Sequence, residues 1–410
     1  MMLALIFIWL HLVPSFVFGN GYNLTIEEDL EIERQLKLLN KPAIKTIIEN
    51  GDIYDCVDIY KQPAFDHPSL KHHKIQLRPS YYPKGLFDEN SLNSSKLMHV
   101  GLQSERCPKG TVVIKRVRKE ELIMGMRSTL KHSKMMMMHS SSSSSPNLVH
   151  INSFEQQWAI WHTPYGENYE YYGASAFINV YGLPQLTNTQ FSSAFFWIGN
   201  DDDDKDHSDQ LVIGWTVDDS VYGDKNTRLA TSWTDDGFRR TGCVDMRCPG
   251  FVQVSQDIPL GIAIKPVSTY NGPQYGVHIS VFKDPATLNW WFVYGSEKKL
   301  VGYWPNKLFT NLSKRATKLH FGGTAGFEGY PDAGLPPMGS GHFPDEGANK
   351  ACVFQQIKYI NAAQQSLNLP IDELYPLSSY PNYYKVGPLT NSSGTQDTFY
   401  FGGPGGPVSS

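Results

Sequence analysis

From about residue 150 onward, the chain is a succession of short segments rich in β-branched and aromatic residues, separated by Gly, Pro, Asn and Asp. Such segments are typical of β-strands joined by turns. Residues 171–182 and 276–282 alternate in side-chain character as half-buried strands do. Only the segment 354–369 also fits a helix, the alternative being a strand followed by a loop. The pattern predicts an all-β fold, a large antiparallel β-sandwich over residues 151–410.

The region before this domain has a mixed character. Helical periodicity over residues 24–50 places Ile32, Leu36 and Leu39 on one face. A turn-rich stretch follows, and one strand is predicted within 107–122. Residues 20–122 are therefore predicted to form a small mixed α/β prosegment. Residues 123–150 contain the run KMMMMHSSSSSSP, which has nothing periodic to pack and predicts an exposed linker that proteases can cut.

The first 19 residues predict a signal peptide. They form an apolar run without Asp, Glu, Lys or Arg that ends at the small residue Gly19, after which cleavage is expected. His11 and Pro14 interrupt the run, and no later apolar stretch approaches the ~20 residues of a membrane span. We therefore expect a secreted protein with no membrane contact once the signal peptide has been removed.

Charge and histidine spacing argue against several classes of partner. The formal net charge is -4 and no basic stripe occurs, which disfavours nucleic-acid binding. The histidines at 67, 72 and 73 lack the spacing of a zinc site. The DDDDK sequence at 201–205 lacks the spaced ligands and glycine of a calcium loop, and is interpreted as a solvated acidic loop. No metal and no cofactor are expected.

Five cysteines and four N-glycosylation sequons fit a secreted chain. Cys243 and Cys248 are close enough in sequence for a local disulfide, so that Cys56 would pair with Cys107. Cys352 would then remain as a small buried apolar side chain. The four sequons predict surface positions that can carry glycans: Asn23, Asn93, Asn311 and Asn391.

Two blocks of sequence resemble the neprosin family. The segment GDIYDCVDIYKQPAFDHPSLKHHKIQLRPS with the later CPKGT is similar to the family's activation peptide. From about His150 onward, YYGASAFINV, GWTV, SWTDDGFRRTGC, CPGFVQ, GYWP and MGSGHF follow in the family's order. The resemblance implies a secreted glutamic endopeptidase, known chiefly from plants, that cleaves after proline in acid. It also implies a groove across one sheet of a β-sandwich, a prosegment that blocks this groove until it is removed at low pH, and the two disulfides. The expected location is the cell wall, the apoplast or the vacuole.

Metal-free peptide hydrolysis needs two carboxyl groups of different pKa, one to deprotonate water and one to donate a hydrogen bond to the carbonyl oxygen. The resemblance places one glutamate two residues before Gly214, where this chain has Val212. It places the other directly after the paired glycines at 322 and 323, where this chain has Thr324. A threonine hydroxyl cannot act as the base. Since each acid–base group contributes ~10²–10⁴ in rate, losing both predicts a catalytically degenerate protein.

Nearby carboxylates are weak substitutes. Strand alternation places Glu328 on the side of Thr324, and it places Asp209 on the side opposite Val212. Trp215 and Trp233 are candidates for lining the groove. The leading hypothesis is therefore a protein that binds a peptide or a proline-rich wall protein. The alternatives are an acid endopeptidase that uses substitute carboxylates, and a carbohydrate-binding or structural wall protein.

Overall fold

A computed structural model describes residues 25–86, 96–98, 100–123, 154–164, 166, 168–201, 208–239, 241–295, 297–328, 334–392 and 395–407. The predicted signal peptide, the sequons at Asn23 and Asn93, and all of the predicted linker except residue 123 lie outside the described residues. No helix within the described part is both long and apolar enough to cross a bilayer.

The prosegment is a small mixed α/β unit, but the region predicted to be helical over 24–50 is a helix only as far as Leu39. Residues 43–49 form a strand, and a second strand lies at 52–58, within the stretch predicted to be rich in turns. Helix α1 (Ile26–Leu39) begins at Thr25, whose hydroxyl accepts from the backbone N–H of Glu28, while the Glu28 carboxylate accepts from the backbone N–H of Thr25. Its buried face packs against a second helical stretch at 119–123. The sheet has the order β1-β2-β4 and is built from β1 (Ala43–Glu49), β2 (Asp52–Asp58) and β4 (Thr111–Lys115).

Two larger sheets form the sandwich. Among the described residues, the seven-stranded sheet has the order β10-β9-β8-β7-β15-β5-β18. Its strands are β5 (Phe154–His162), β7 (Gln190–Asp201), β8 (Ser208–Asp218), β9 (Arg228–Thr234), β10 (Cys243–Val244), β15 (Lys318–Glu328) and β18 (Tyr375–Ser378).

The eleven-stranded sheet has a central path of order β11-β14-β13-β12-β6-β16-β21-β19. These strands are β6 (Gly173–Asn179), β11 (Val252–Gln253), β12 (Tyr275–Lys283), β13 (Trp290–Tyr294), β14 (Lys299–Trp304), β16 (Cys352–Ile360), β19 (Lys385–Val386) and β21 (Thr395–Gly402). Three short strands pair with this path: β3 (Lys96–Leu97), β17 (Ser366–Asn368) and β20 (Thr390–Ser392).

Short helices lie in the connections. One α-helical turn, Asp219–Tyr222, follows β8 and ends at Gly223, whose φ of 71° is the left-handed conformation that glycine adopts readily. The 3-10 helices are Pro63–Asp66, Pro68–Leu70, Asn306–Leu308, Pro344–Glu346 and Ile371–Glu373. The segment 354–369 contains no helix: it continues β16 and then contributes β17.

The core lies between the two large sheets, where side chains from both inner faces meet. Trp215 and Phe321 of the seven-stranded sheet belong to the same buried cluster as Ile279, Phe292 and Phe354 of the eleven-stranded sheet. Nearly every pairing is antiparallel, and the short parallel pairing of β3 with β12 is an exception. The predicted antiparallel β-sandwich, preceded by a small α/β prosegment, is confirmed.

Both predicted disulfides are present. Cys56 and Cys107 join β2 to the segment before β4, with their Cα atoms 5.4 Å apart. Cys243 and Cys248 close a local loop next to β10, with Cα atoms 5.6 Å apart. Cys352 is a free, fully buried thiol in β16. Each disulfide lies within one part of the chain, so neither joins the prosegment to the sandwich.

Candidate functional site

One row of side chains crosses the seven-stranded sheet on the face that points away from the core. Directly paired residues of neighbouring strands project to the same face of a sheet. From β8 to the edge strand β18 the pairings connect five residues, which we call the central row: Val212, Trp197, His320, His162 and Tyr375. The neighbours of Val212 in β8, Leu211 and Ile213, point into the core instead. We call the side that carries the central row the outer face.

Aromatic rings form the floor of this face. The Trp197 ring centroid lies 5.3 Å from that of Trp158 and 5.9 Å from that of Phe195. Trp197, Val212 and Ile160 are buried together in a cluster separate from the main core. Trp158 is half-buried, whereas Tyr375 is 55% exposed at the edge strand. The outer face therefore presents apolar and aromatic surface at the sheet centre and a more accessible tyrosine at its edge.

Two histidines stand side by side in the central row. The ring centroids of His162 and His320 are 5.7 Å apart, and His320 also lies 6.3 Å from Trp197. Burial, with smaller contributions from the Lys318 ammonium and His162, holds the pKa of His320 well below its usual range. The imidazole of His320 is therefore harder to protonate than that of an exposed histidine. No residue of the central row is a carboxylic acid.

The strand register does not bring Thr324 beside Val212. Thr324 pairs with Ser193 and Trp158, four residues along β15 from His320, which is about 13 Å at strand spacing. Thr324 is also two strands away from Val212, which is about 10 Å across the sheet. The diagonal of these two offsets is a backbone distance of about 16 Å. Thr324 is fully buried, and its hydroxyl has no hydrogen-bond partner among the described residues. The residue that faces Val212 across Trp197 is His320.

Neither substitute carboxylate reaches the central row. Asp209 points into the core, as strand alternation predicts, and is fully buried. One of its oxygens accepts hydrogen bonds from the backbone N–H groups of Asn311 and Leu312, at 2.5 and 2.7 Å. It therefore anchors the turn after Asn306–Leu308. Glu328 is the last residue of β15, eight residues or about 26 Å of strand beyond His320.

The structure corrects the expectation that two tryptophans line the groove. Trp215 is fully buried in the core, where its indole N–H donates to the backbone carbonyl of Asn179 at 2.9 Å. Trp233 is also buried, with its ring edge-to-face against Phe309. Trp215 is three residues from Val212, an odd number, so strand alternation turns it to the opposite face.

Two sequons lie in the described part. Asn311 is half-buried in the turn that Asp209 anchors, and Asn391 belongs to β20. Glycosylation at these two positions, and at Asn23 and Asn93, stays a prediction.

The Asp209 carboxyl makes stability depend on pH. Burial raises its pKa from the ordinary value of 3.8 to about 7, against the opposing effect of its backbone hydrogen bonds. The folded state therefore holds this proton more tightly than the unfolded state. This contribution to stability is complete below about pH 4 and is lost as the pH rises to about 7. At 1.36 kcal/mol per pKa unit its size is on the order of 4 kcal/mol.

We expect Asp209→Asn to flatten the dependence of Tm on pH between pH 4 and 7.5, because the amide keeps the acceptor oxygen and does not ionise. Thermal unfolding followed by circular dichroism measures this change. The exposed Asp372→Asn serves as the control and should leave the profile unaltered. An Asp209→Asn profile as steep as that of the unmodified protein would show that this carboxyl is not the titrating group.

Comparison with known proteins identifies the family of this chain. A family model described as neprosin matches residues 188–404, which is more than half of the chain, and one described as neprosin activation peptide matches residues 44–162. One similar solved structure is scytalido-glutamic peptidase with a peptide-based transition-state analogue, at 15% sequence identity and a TM-score of 0.34. Another is SCP-B, a member of the eqolisin family of peptidases, in complex with the tripeptide Ala-Ile-His, at 14% sequence identity and a TM-score of 0.31. Each alignment covers 61% of this chain and 98% of the other. The chain belongs to the neprosin family and contains a region that matches the family's activation peptide.

Proposed function

We propose that this protein binds extended, proline-rich peptide on the outer face of the seven-stranded sheet and does not hydrolyse it. The observation that carries the proposal is the composition of the central row. Val212 and His320 face each other across Trp197, and no carboxyl group is present where a water molecule would have to be activated.

The chemistry of the row fits binding better than hydrolysis. A metal-free hydrolysis by two carboxyls needs one ionised group and one protonated group within reach of the same water molecule. Val212 has no titratable atom. The low pKa of His320 makes it a weak base, and no acid stands beside it in the row to stabilise an oxyanion. Asp209 faces the core, so it does not supply the missing group.

The aromatic floor supports recognition of proline-rich chain. Proline-rich segments adopt the polyproline II conformation before binding and dock in grooves lined by aromatic rings. Trp158 and Trp197 are adjacent at the centre of the outer face, and Tyr375 is accessible at its edge. Aromatic rings provide a large rigid contact area for pyrrolidine rings.

Titration of the purified protein with a synthetic proline-rich peptide at pH 5 tests this function by calorimetry. We expect Trp158→Ala and Tyr375→Ala each to weaken binding about tenfold or more, which is typical when an aromatic anchor of an interface is truncated. Tyr60→Ala is the matched control, because Tyr60 is an exposed aromatic residue of the prosegment. The peptide should be intact by mass spectrometry after incubation.

Two other outcomes would contradict the proposal. Cleavage of the peptide by the unmodified protein in acid would show that it is an active endopeptidase. Retention on a wall-polysaccharide column that is lost in Trp158→Ala, together with no peptide binding, would show that the same aromatic face binds carbohydrate.

A further inference from the structure

The described prosegment packs over the outer side of the eleven-stranded sheet, opposite the central row. Six apolar residues on that side, which we call the covered face, are all buried: Val252, Phe282, Trp291, Val293, Tyr303 and Ile360. Ala64 and Leu86 of the prosegment are buried in the same cluster, with Phe65, Ile75 and Tyr82 packed against it. Residues 62–86 therefore close an apolar surface that would otherwise face water.

Polar contacts fix this segment in register. The Gln62 side-chain amide pairs with the backbone of Gln253, accepting from its N–H at 2.7 Å and donating to its carbonyl at 3.1 Å. His73 is hydrogen-bonded to the Tyr303 hydroxyl at 2.8 Å. Asp284 accepts from the Gln76 side chain at 3.1 Å. The contact is thus a specific interface and not only apolar coverage.

Buried ion pairs join the two parts at a second place. The Arg228 guanidinium of β9 contacts the Asp52 carboxylate of β2 at 2.8 Å, and both side chains are at most 3% exposed. The buried Glu121 carboxylate contacts Arg247 of the sandwich at 3.1 Å and Lys115 of the prosegment at 2.9 Å. Separating the two parts would break the Arg228–Asp52 and Arg247–Glu121 pairs, whereas the Lys115–Glu121 pair would stay within the prosegment.

Detachment would also expose a large apolar surface. Phe282, Trp291 and Tyr303 are fully buried, and residues of these types bury about 150–250 Å² each. Detachment would expose part of this area, and an uncovered apolar patch of a few hundred Å² is unusual on a soluble monomer unless it has a function.

We propose that residues 25–123 are a permanent structural part of the folded protein, which stays bound without a covalent link after the chain is cut between residues 123 and 154. The sandwich and this segment then form a stable two-chain molecule. This inference concerns the opposite side from the central row, so it does not depend on peptide binding. It differs from the expectation, implied by the family resemblance, of a prosegment that leaves at low pH.

A single engineered cut tests the proposal. A site for a specific protease replaces residues 134–146 in the full chain; enteropeptidase is unsuitable because DDDDK occurs at 201–205. The cut protein is then run on a size-exclusion column at pH 7 and at pH 4.5. Since both disulfides lie within single fragments, co-elution reports non-covalent association. We expect one peak with both fragments in equal amounts at both pH values.

A folded sandwich fragment that elutes alone at either pH would overturn the proposal. Asp52→Asn probes the interface in the cut protein, and we expect it to raise the Kd of the fragments about 100-fold, as truncation of one partner of a buried charge pair does. Asp29→Asn is the control, because Asp29 pairs with Lys119 within the prosegment and is half-exposed. Equal Kd values for the two variants would exclude the ion pair as the link between the fragments. If Asp52→Asn fails to fold, the elution of the cut protein without this substitution still tests the proposal.

Discussion

Replacing Val212 and His320 together by glutamate is expected to create a peptidase activity at acidic pH. The two positions lie in the central row on either side of Trp197, about 10 Å apart between backbones. Glutamate side chains from both can reach one water molecule from this separation. Burial and mutual repulsion raise the pKa of one carboxyl above that of the other, so that one is protonated while the other is ionised. We expect hydrolysis of a proline-containing peptide at least ~100-fold above the unmodified protein.

The matched control places two glutamates at the positions that the family resemblance implies, Val212 and Thr324. Val212→Glu with Thr324→Glu is expected to be less active than the His320 pair, because about 16 Å separates these two backbones against about 10 Å, so that both side chains must be fully extended to approach one water molecule. Peptide cleavage at pH 4–5 is followed by mass spectrometry, and thermal unfolding verifies that both variants fold. Activity in the Thr324 pair and none in the His320 pair would show that the central row is not the reacting site.

Local sequence patterns were sufficient for the sandwich as a fold class and for the disulfides, but not for the strands at 43–49 and 52–58 of the prosegment. Alternation identified β6 and β12, and it correctly turned Asp209 away from Val212. The same rule applied to Trp215 would have shown that it shares the core side with Leu211. The covered face also had a sequence signal, because a strand such as WWFVY without polar alternation is typical of a sheet buried on both sides.

Local sequence patterns could not predict which residues lie side by side on neighbouring strands. Val212 and His320 are 108 positions apart in the chain, and they meet only because β7 lies between β8 and β15 in a particular register. A register shift of four residues would have placed Thr324 in the row without changing the alternation of any strand. The order and register of the strands follow from packing of the whole sandwich, so the composition of the site required the fold.

The Arg228 side chain is expected to show the largest effect of a single substitution on stability. It is 1% exposed and donates to Asp52, Asp224 and the backbone carbonyl of Gly261. The Tyr222 ring lies 5.2 Å from the guanidinium carbon. Arg228→Ala leaves the Asp52 carboxylate buried without its main partner, which costs about 3–5 kcal/mol in the free energy of unfolding. Chemical denaturation at pH 7 measures the loss.

A double-mutant cycle separates the loss of the ion pair from the loss of packing. Arg228→Met with Asp52→Asn removes both buried charges and keeps side-chain volume, so it should recover part of the stability that Arg228→Met alone loses. Arg34→Ala is the control: Arg34 pairs with Glu31 on the exposed face of α1, and ion pairs in full contact with solvent contribute little to stability. If Arg228→Ala cost no more than Arg34→Ala, the ion pair between prosegment and sandwich would not stabilise the fold. Because Asp52 and Arg228 belong to different parts of the chain, a large coupling energy would show that their interaction stabilises the association of the prosegment with the sandwich.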